Sequence, residues 1–196
     1  ILTIKLEKSN NTEISLSGTS NDIPYNEKNL VYKAAKLFIE TINKNFKIDI
    51  HIEKNIPIAA GLAGGSTDAA GTFLGLNSLL ENPLSDEKIN ELCASLGSDL
   101  NFCLKGGCKL TTGRGEILTP CDFQEFSLSL IKPKELGISA KEAYTKFSEL
   151  ENKPNLDMTS KALKDMKNIK NYLHNDLEIA LFRDYKELQT IKNAYP

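Results

Sequence analysis

A strict alternation that runs into proline and then into a glycine-rich turn is the feature that most limits how this chain folds. Lys47–Glu53 sets Ile48, Ile50 and Ile52 on one face and Asp49, His51 and Glu53 on the other, the period of a half-buried strand. His51 is thereby read as a solvated residue of the polar face. Pro57 ends the ladder, Gly61, Gly64 and Gly65 free the backbone, and Ser66-Thr67 lead into a helix that runs to about Leu80. Ala69, Ala70 and Gly71 let that helix lie close against its sheet.

A strand, a glycine turn and a helix start make an anion site. Amides at a helix N-terminus have no intrahelical acceptor, the helix dipole favours negative charge, and glycine removes the Cβ that would hold a phosphate away. Ser66 and Thr67 add hydroxyls that could meet phosphate or a nucleotide-borne metal. Two familiar loops do not fit. A Walker A loop needs Gly-Lys-Ser/Thr where this one reads Gly65-Ser66-Thr67, and the spacing of Gly61, Gly64 and Gly65 is not that of a dinucleotide fingerprint. On the residues alone, close helix–sheet packing explains the small side chains as well as phosphate binding does.

The remaining sequence supplies context. Leu2, Ile4 and Leu6, then Ile14 and Leu16, alternate on either side of Ser9–Thr12, which predicts a hairpin. Asn29–Ile42 reads as an amphipathic helix, and Ser85 caps another that Gly97 ends. Short strands are expected at Lys109–Thr112 and Phe126–Ile131. Beyond Pro133 the chain turns to lysine-rich helices: one capped by Ser139 and Glu142 with Ala143, Tyr144, Phe147 and Leu150 inward, then Thr159–Met166, Asp176–Phe182 and Tyr185–Asn193. A boundary is placed near Cys121–Gln124. Twenty-four basic against 26 acidic residues give a net charge of −2, which argues against a nucleic-acid binder working by bulk charge. No apolar run is long enough for a transmembrane helix. Cys93, Cys103, Cys108 and Cys121 form no C-x-x-C pair, so they are read as core thiols in a reducing cytoplasm rather than zinc ligands.

Pro57–Ala70 resembles the ATP-binding loop of the GHMP small-molecule kinases, and its ending Gly64-Gly65-Ser66-Thr67-Asp68-Ala69-Ala70 is similar to the 4-diphosphocytidyl-2-C-methyl-D-erythritol kinase branch. Asn29–Ala35, Leu96–Phe102, Gly113–Leu118 and His174–Glu178 resemble further stretches of that branch in the same order. The resemblance implies an α+β fold in two parts: residues 1–122 as a ribosomal-protein-S5-like ATP-binding domain and 123–196 as a ferredoxin-like domain, with the active site between them. It implies ATP-dependent phosphorylation of the tertiary 2-hydroxyl of 4-diphosphocytidyl-2-C-methyl-D-erythritol, in the methylerythritol phosphate route to isoprenoids. ATP with Mg²⁺ is the implied cofactor, a small molecule the partner, and neither nucleic acid nor membrane is expected. A GHMP kinase for another alcohol, or a nucleotide-binding module without catalysis, are the alternatives.

Roles follow position by position. The resemblance gives ATP to Asn29, Lys54, Pro57, Ile58, Ala59, Ala60, Gly61, Leu62, Ala63, Gly64, Gly65, Ser66 and Thr67, with Asn29 and Lys54 toward adenine. It gives substrate to Gly113 and Arg114, and general-base catalysis to Asp99. On the residues alone Asn29 is equally an N-cap, Lys54 a solvated strand end and Arg114 a surface cation. Asp68 is read as a first-turn helix stabiliser rather than a catalyst. Ala63 stands where the family has glycine, and Ala140 near where it has a substrate threonine. The family's further N-terminal hairpin with its lysine and Asp-Gly-Tyr-His segment, and its C-terminal glycine-rich loop, do not occur in these 196 residues. The chain is therefore expected to be incomplete at both ends.

Overall fold

The computed structural model describes residues 1–122, 125, 127–134, 136–151 and 158–195. Its contacts divide the chain into two compact units, residues 1–58 with 62–120, and residues 59–61 with 121–196.

The first unit is built around β3 (Phe46–Ile52), which lies between β1 (Leu2–Lys8) and β2 (Glu13–Gly18). β1 pairs with β3 antiparallel and β2 pairs with it parallel, so the two strands predicted as a hairpin never touch. The reason is the connection. Helix α1 (Leu30–Ile42) carries the chain from β2 to β3 as a crossover, and the most apolar strand enters the gap. Register then aligns three apolar rows: Leu6–Ile48–Ile14, Ile4–Ile50–Leu16 and Leu2–Ile52–Gly18. Gly18 admits no Cβ, which would lie 2.4 Å from the Ile52 carbonyl oxygen.

Helices α1 and α2 (Gly64–Leu79) pack on each other and cover that apolar face, α2 over β1 and α1 over β2. The small-residue stripe does what its sequence suggests: Ala69 and Ala70 are buried, and a Cβ on Gly75 would strike Ile4 at 2.7 Å. Helix α3 (Asp86–Leu96) is capped by Ser85, whose hydroxyl accepts from the Lys88 amide. After Gly97 comes a short helix not foreseen in the sequence, α4 (Leu100–Lys105), and then the antiparallel pair β4 (Lys109–Thr112) and β5 (Ile117–Pro120).

The described part of the second unit is helical: α5 (Ala140–Ser148), α6 (Met158–Lys164), a 3-10 segment Met166–Tyr172, α7 (Leu177–Asp184) and α8 (Lys186–Ala194). The strand expected at Phe126–Ile131 is not found. Phe126 lies outside the described residues, and 127–131 have no described strand beside them to complete a ladder. Phe123 and Gln124, within the expected boundary, also lie outside the described residues. Ser139 caps α5 by accepting from the Glu142 amide, but the Glu142 carboxylate takes the Tyr185 hydroxyl instead of turning back to Ser139. Ala143 and Leu150 face inward as predicted, whereas Tyr144 is exposed. The helix expected at Thr159–Met166 stops at Lys164. Asp165 there accepts from the Asn168 amide group and the Tyr172 hydroxyl, and this local bonding replaces the next helical turn.

Candidate functional site

The loop that follows β3 is shaped by three residues in the left-handed region: Ala59 (φ 50°), Gly61 (φ 70°) and Ala63 (φ 49°). Ala63, where the resembled family has glycine, takes a backbone that glycine adopts freely and alanine at a cost of about 1–2 kcal/mol. Ala63 leads directly into α2. The first amide of α2 with an intrahelical acceptor is that of Thr67, bonded to the Ala63 carbonyl at 2.9 Å. The amides of Gly64, Gly65 and Ser66 precede it and are the open donors of the helix end. The hydroxyls of Ser66 and Thr67, alike in sequence, differ here. Thr67 Oγ1 donates to the Ala63 carbonyl (3.1 Å) and lies 3.4 Å from Cys103 Sγ, while the Ser66 hydroxyl has no partner among the described residues.

Lys54 is not a solvated strand end. Its side chain is 6% exposed and its Nζ sits 2.7 Å from Oδ2 of Asp68, itself 14% exposed. This corrects the reading of Asp68. Helix α2 has no acidic residue in its first turn, so Asp68 lies too deep to act on the helix end and serves Lys54 instead. Beneath the loop, a Cβ on Gly64 would come within 2.7 Å of Lys54 Nζ and 2.9 Å of Ile56 Cγ2. Glycine is required at 64 for what lies behind it, beyond any clearance for phosphate in front.

Asp99 stands at the N-cap position of α4 yet caps nothing, and its exposed carboxylate has no ion pair or hydrogen bond to a described residue. Its backbone is well anchored. The Cys103 amide donates to the Asp99 carbonyl at 3.0 Å, and Cys103 Sγ meets Thr67 in the first turn of α2, so a short path of contacts links Asp99 to the open amides. Sequence alone had no signal for this Thr67–Cys103 contact. Of the four thiols only Cys93 is fully buried; Cys103, Cys108 and Cys121 are partly exposed, so the core-thiol reading holds for one. Burial, with the Cys103 thiol nearby, pushes Cys93 up to about 11.

The turn between β4 and β5 closes on the same segment. A Cβ on Gly115 (φ 117°) would lie 2.6 Å from the Ser98 carbonyl, so glycine lets the turn touch the residue before Asp99. Gly113 (φ 70°) and Arg114 shape the turn. The Arg114 amide donates to Glu116 Oε2 at 2.7 Å, and its guanidinium lies 3.4 Å from the Ala94 carbonyl. Backbone amides of Glu116 and Arg114 hold the Glu116 carboxyl below its ordinary range. Asn29 caps α1, accepting from the Val31 amide (2.9 Å) and donating to the Pro24 carbonyl (2.7 Å). The next residue, Leu30, is the nearest neighbour a Cβ on Gly65 would meet, at 3.8 Å. Among the described residues no three His, Cys, Asp or Glu side chains gather as a metal site, and no helix is long and apolar enough to cross a membrane.

Known proteins resemble this chain in sequence and fold. The profile of the GHMP kinases N terminal domain matches residues 29–107. A 4-diphosphocytidyl-2-C-methyl-D-erythritol kinase of Syntrophomonas wolfei is 39% identical over 183 residues, covering 91% of this chain and 64% of that protein. One of Clostridium novyi is 38% identical over 188 residues, covering 93% and 67%. The crystal structure of a 4-(cytidine 5'-diphospho)-2C-methyl-D-erythritol kinase superposes with a TM-score of 0.68 at 26% identity, over 97% of this chain and 67% of that one. A homoserine kinase from Cytophaga hutchinsonii, at 15% identity and a TM-score of 0.61, shares the fold. The chain thus spans roughly two thirds of the length of the relatives it matches. At 38% identity to a relative of which it spans 67%, the chain belongs to the GHMP kinases, in the branch whose members bear the name 4-diphosphocytidyl-2-C-methyl-D-erythritol kinase.

Proposed function

We propose that the protein carrying this chain is an ATP-dependent kinase that phosphorylates the tertiary 2-hydroxyl of 4-diphosphocytidyl-2-C-methyl-D-erythritol. The observation that carries the reading is two unspent groups joined by a short path of contacts. Open amides at Gly64, Gly65 and Ser66 stand at one end of the path Thr67–Cys103–Asp99, and Asp99, whose carboxylate has no partner among the described residues, stands at the other. Phosphoryl transfer needs this pairing, a donor cradle for the polyphosphate and an acceptor for the alcohol proton.

In this reading the loop Pro57–Thr67 wraps the triphosphate, with the Ser66 hydroxyl adding a donor. Asn29 borders the adenine side, and Lys54, its ammonium spent on Asp68, backs the loop instead of meeting the base. The backbone of Gly113 and Arg114 borders the substrate. The alcohol oxygen attacks the γ-phosphorus in line as its proton passes to Asp99, the bond from that phosphorus to the bridging oxygen breaks, and ADP leaves. Mg²⁺ comes with the nucleotide and neutralises charge on its phosphates. Such a kinase works in the cytoplasm, where its ATP is.

The deciding experiment incubates the full-length protein with ATP, Mg²⁺ and the diphosphocytidyl alcohol, with homoserine and mevalonate as competitors, and follows ADP and the phosphorylated product. Product from the diphosphocytidyl alcohol alone is expected. Preference for another alcohol, or ATP binding without transfer to any, overturns the assignment.

A further inference from the structure

The Lys54–Asp68 pair is built more heavily than a strand end needs. Its members are 14 positions apart in sequence and bracket the whole loop, one just past β3 and one in the second turn of α2. Both side chains are withdrawn from water, so their attraction is little screened, and losing either member leaves a buried charge unpaired. Buried ion pairs add little net stability against apolar replacements; their best-attested use is to fix one geometry.

The geometry fixed here is that of the open amides. The Lys54 ammonium fills the space behind Gly64, 2.7 Å from where a Cβ would stand. Gly64 carries the first of the open amides, and Ala63 before it is held in a conformation that alanine leaves when unrestrained. Asp68 is itself anchored. Its carbonyl accepts from Thr72 Oγ1 at 2.9 Å, and Thr72, like Ala69, is fully buried. The rigid face of α2 thus holds Asp68, Asp68 holds the ammonium, and the ammonium backs the loop at its strained turn.

We infer that Asp68 is a positioning residue for the phosphate cradle, acting through Lys54; the inference rests on the reading of Gly64–Ser66 as that cradle. It touches no reacting atom. Its role is to keep amides aimed at phosphate, so its loss should be felt in proportion to the phosphates a ligand carries.

The experiment measures binding of ATP, ADP and adenosine by calorimetry to the full-length protein and to Asp68→Asn, with thermal unfolding alongside. ATP and ADP should bind about 10- to 100-fold more weakly to the variant, the loss expected when a hydrogen bond from an amide to a charged phosphate is misaimed. Adenosine should bind as before, and KM for ATP should rise more than kcat falls. Equal loss for adenosine, or unchanged ATP affinity, overturns the inference. Should Asp68→Asn not fold, the double variant Lys54→Met/Asp68→Leu replaces the pair by apolar volume and tests the same point. Its ratio of ATP to adenosine affinity should fall, and a wild-type ratio overturns the inference. Wild-type protein that binds no ATP overturns the reading of the loop itself, and the role of Asp68 with it.

Discussion

Among the described residues, the two units of this chain differ in how far they bury their apolar side chains. In the first, Phe38, Phe73, Ile48, Ile50, Ile52 and Leu76 are all less than 2% exposed, and two helices and a sheet share one apolar core. In the second, the buried apolar residues among those described are Ala143, Leu150 and Ala180, while Leu128, Leu130, Tyr144 and Leu173 are each more than 60% exposed. Charged pairs there, Lys146 with Asp184 and Lys192 with Glu178, stay in contact with solvent and add little. The hydrogen bond from Lys146 raises its own pKa and lowers that of Asp184, but both groups stay in contact with solvent. Asn29, Lys54, Asp68, Asp99 and Arg114 all lie in the first unit. These side chains of the proposed site are thus mounted on the densely packed unit, whose close-packed interior resists displacement, while Ala59–Gly61 of the proposed loop group with the second unit.

That contrast breaks most visibly if chemistry does not depend on the packed unit. Asp99→Asn in the full-length protein keeps the shape and removes the proton acceptor, so turnover should fall by ~10²–10⁴-fold while ATP affinity is retained. Near-normal turnover would place the base elsewhere. The next effect sets a core residue of the first unit beside a surface pair of the second. Phe38→Ala should destabilise the first unit by about 3–5 kcal/mol, as emptying a filled core site does. Lys146→Ala removes one solvent-exposed pair, and its thermal midpoint should be indistinguishable from wild type. Equal losses from the two changes would erase the contrast. The smallest effect sharpens it. Ala63→Gly relieves a left-handed alanine and should raise stability by about 1 kcal/mol less the entropy that glycine adds to the unfolded chain. If Ala63 is held by its surroundings as inferred, ATP affinity in that variant stays within about twofold of wild type, well inside the ~1.4 kcal/mol of a tenfold change. A larger loss would show that the loop needs alanine for more than bulk.

Much of the local structure was legible because it depends on short-range chemistry. Asn29, Ser85 and Ser139 each cap the helix their sequence announced, through hydrogen bonds to amides two or three residues on. The alternation of Phe46–Ile52 gave its burial, and the glycine turn gave the helix end. The hairpin failed because alternation identifies a strand without identifying its neighbour. Tyr144 failed because helical periodicity marks an apolar face whether or not anything covers it. For the proposed site, Asp99 and the loop could be named from their motifs, but Asp68 was misjudged by counting helix turns, and Cys103 carried no signal.

The sequence by itself determined which residues cap the helices and that Phe46–Ile52 is a buried strand, since each follows from covalent structure and neighbours within a few positions. Only the tertiary structure decided that β3 would separate β1 from β2, that Lys54 would leave solvent for Asp68, that the Thr67 hydroxyl would be spent and the Ser66 hydroxyl left without a partner among the described residues, and that Gly115 would press against Ser98. Each of these joins residues distant in the chain or depends on what surrounds a side chain after packing. Their energies come from excluding water and filling space, and neither acts until the chain has folded.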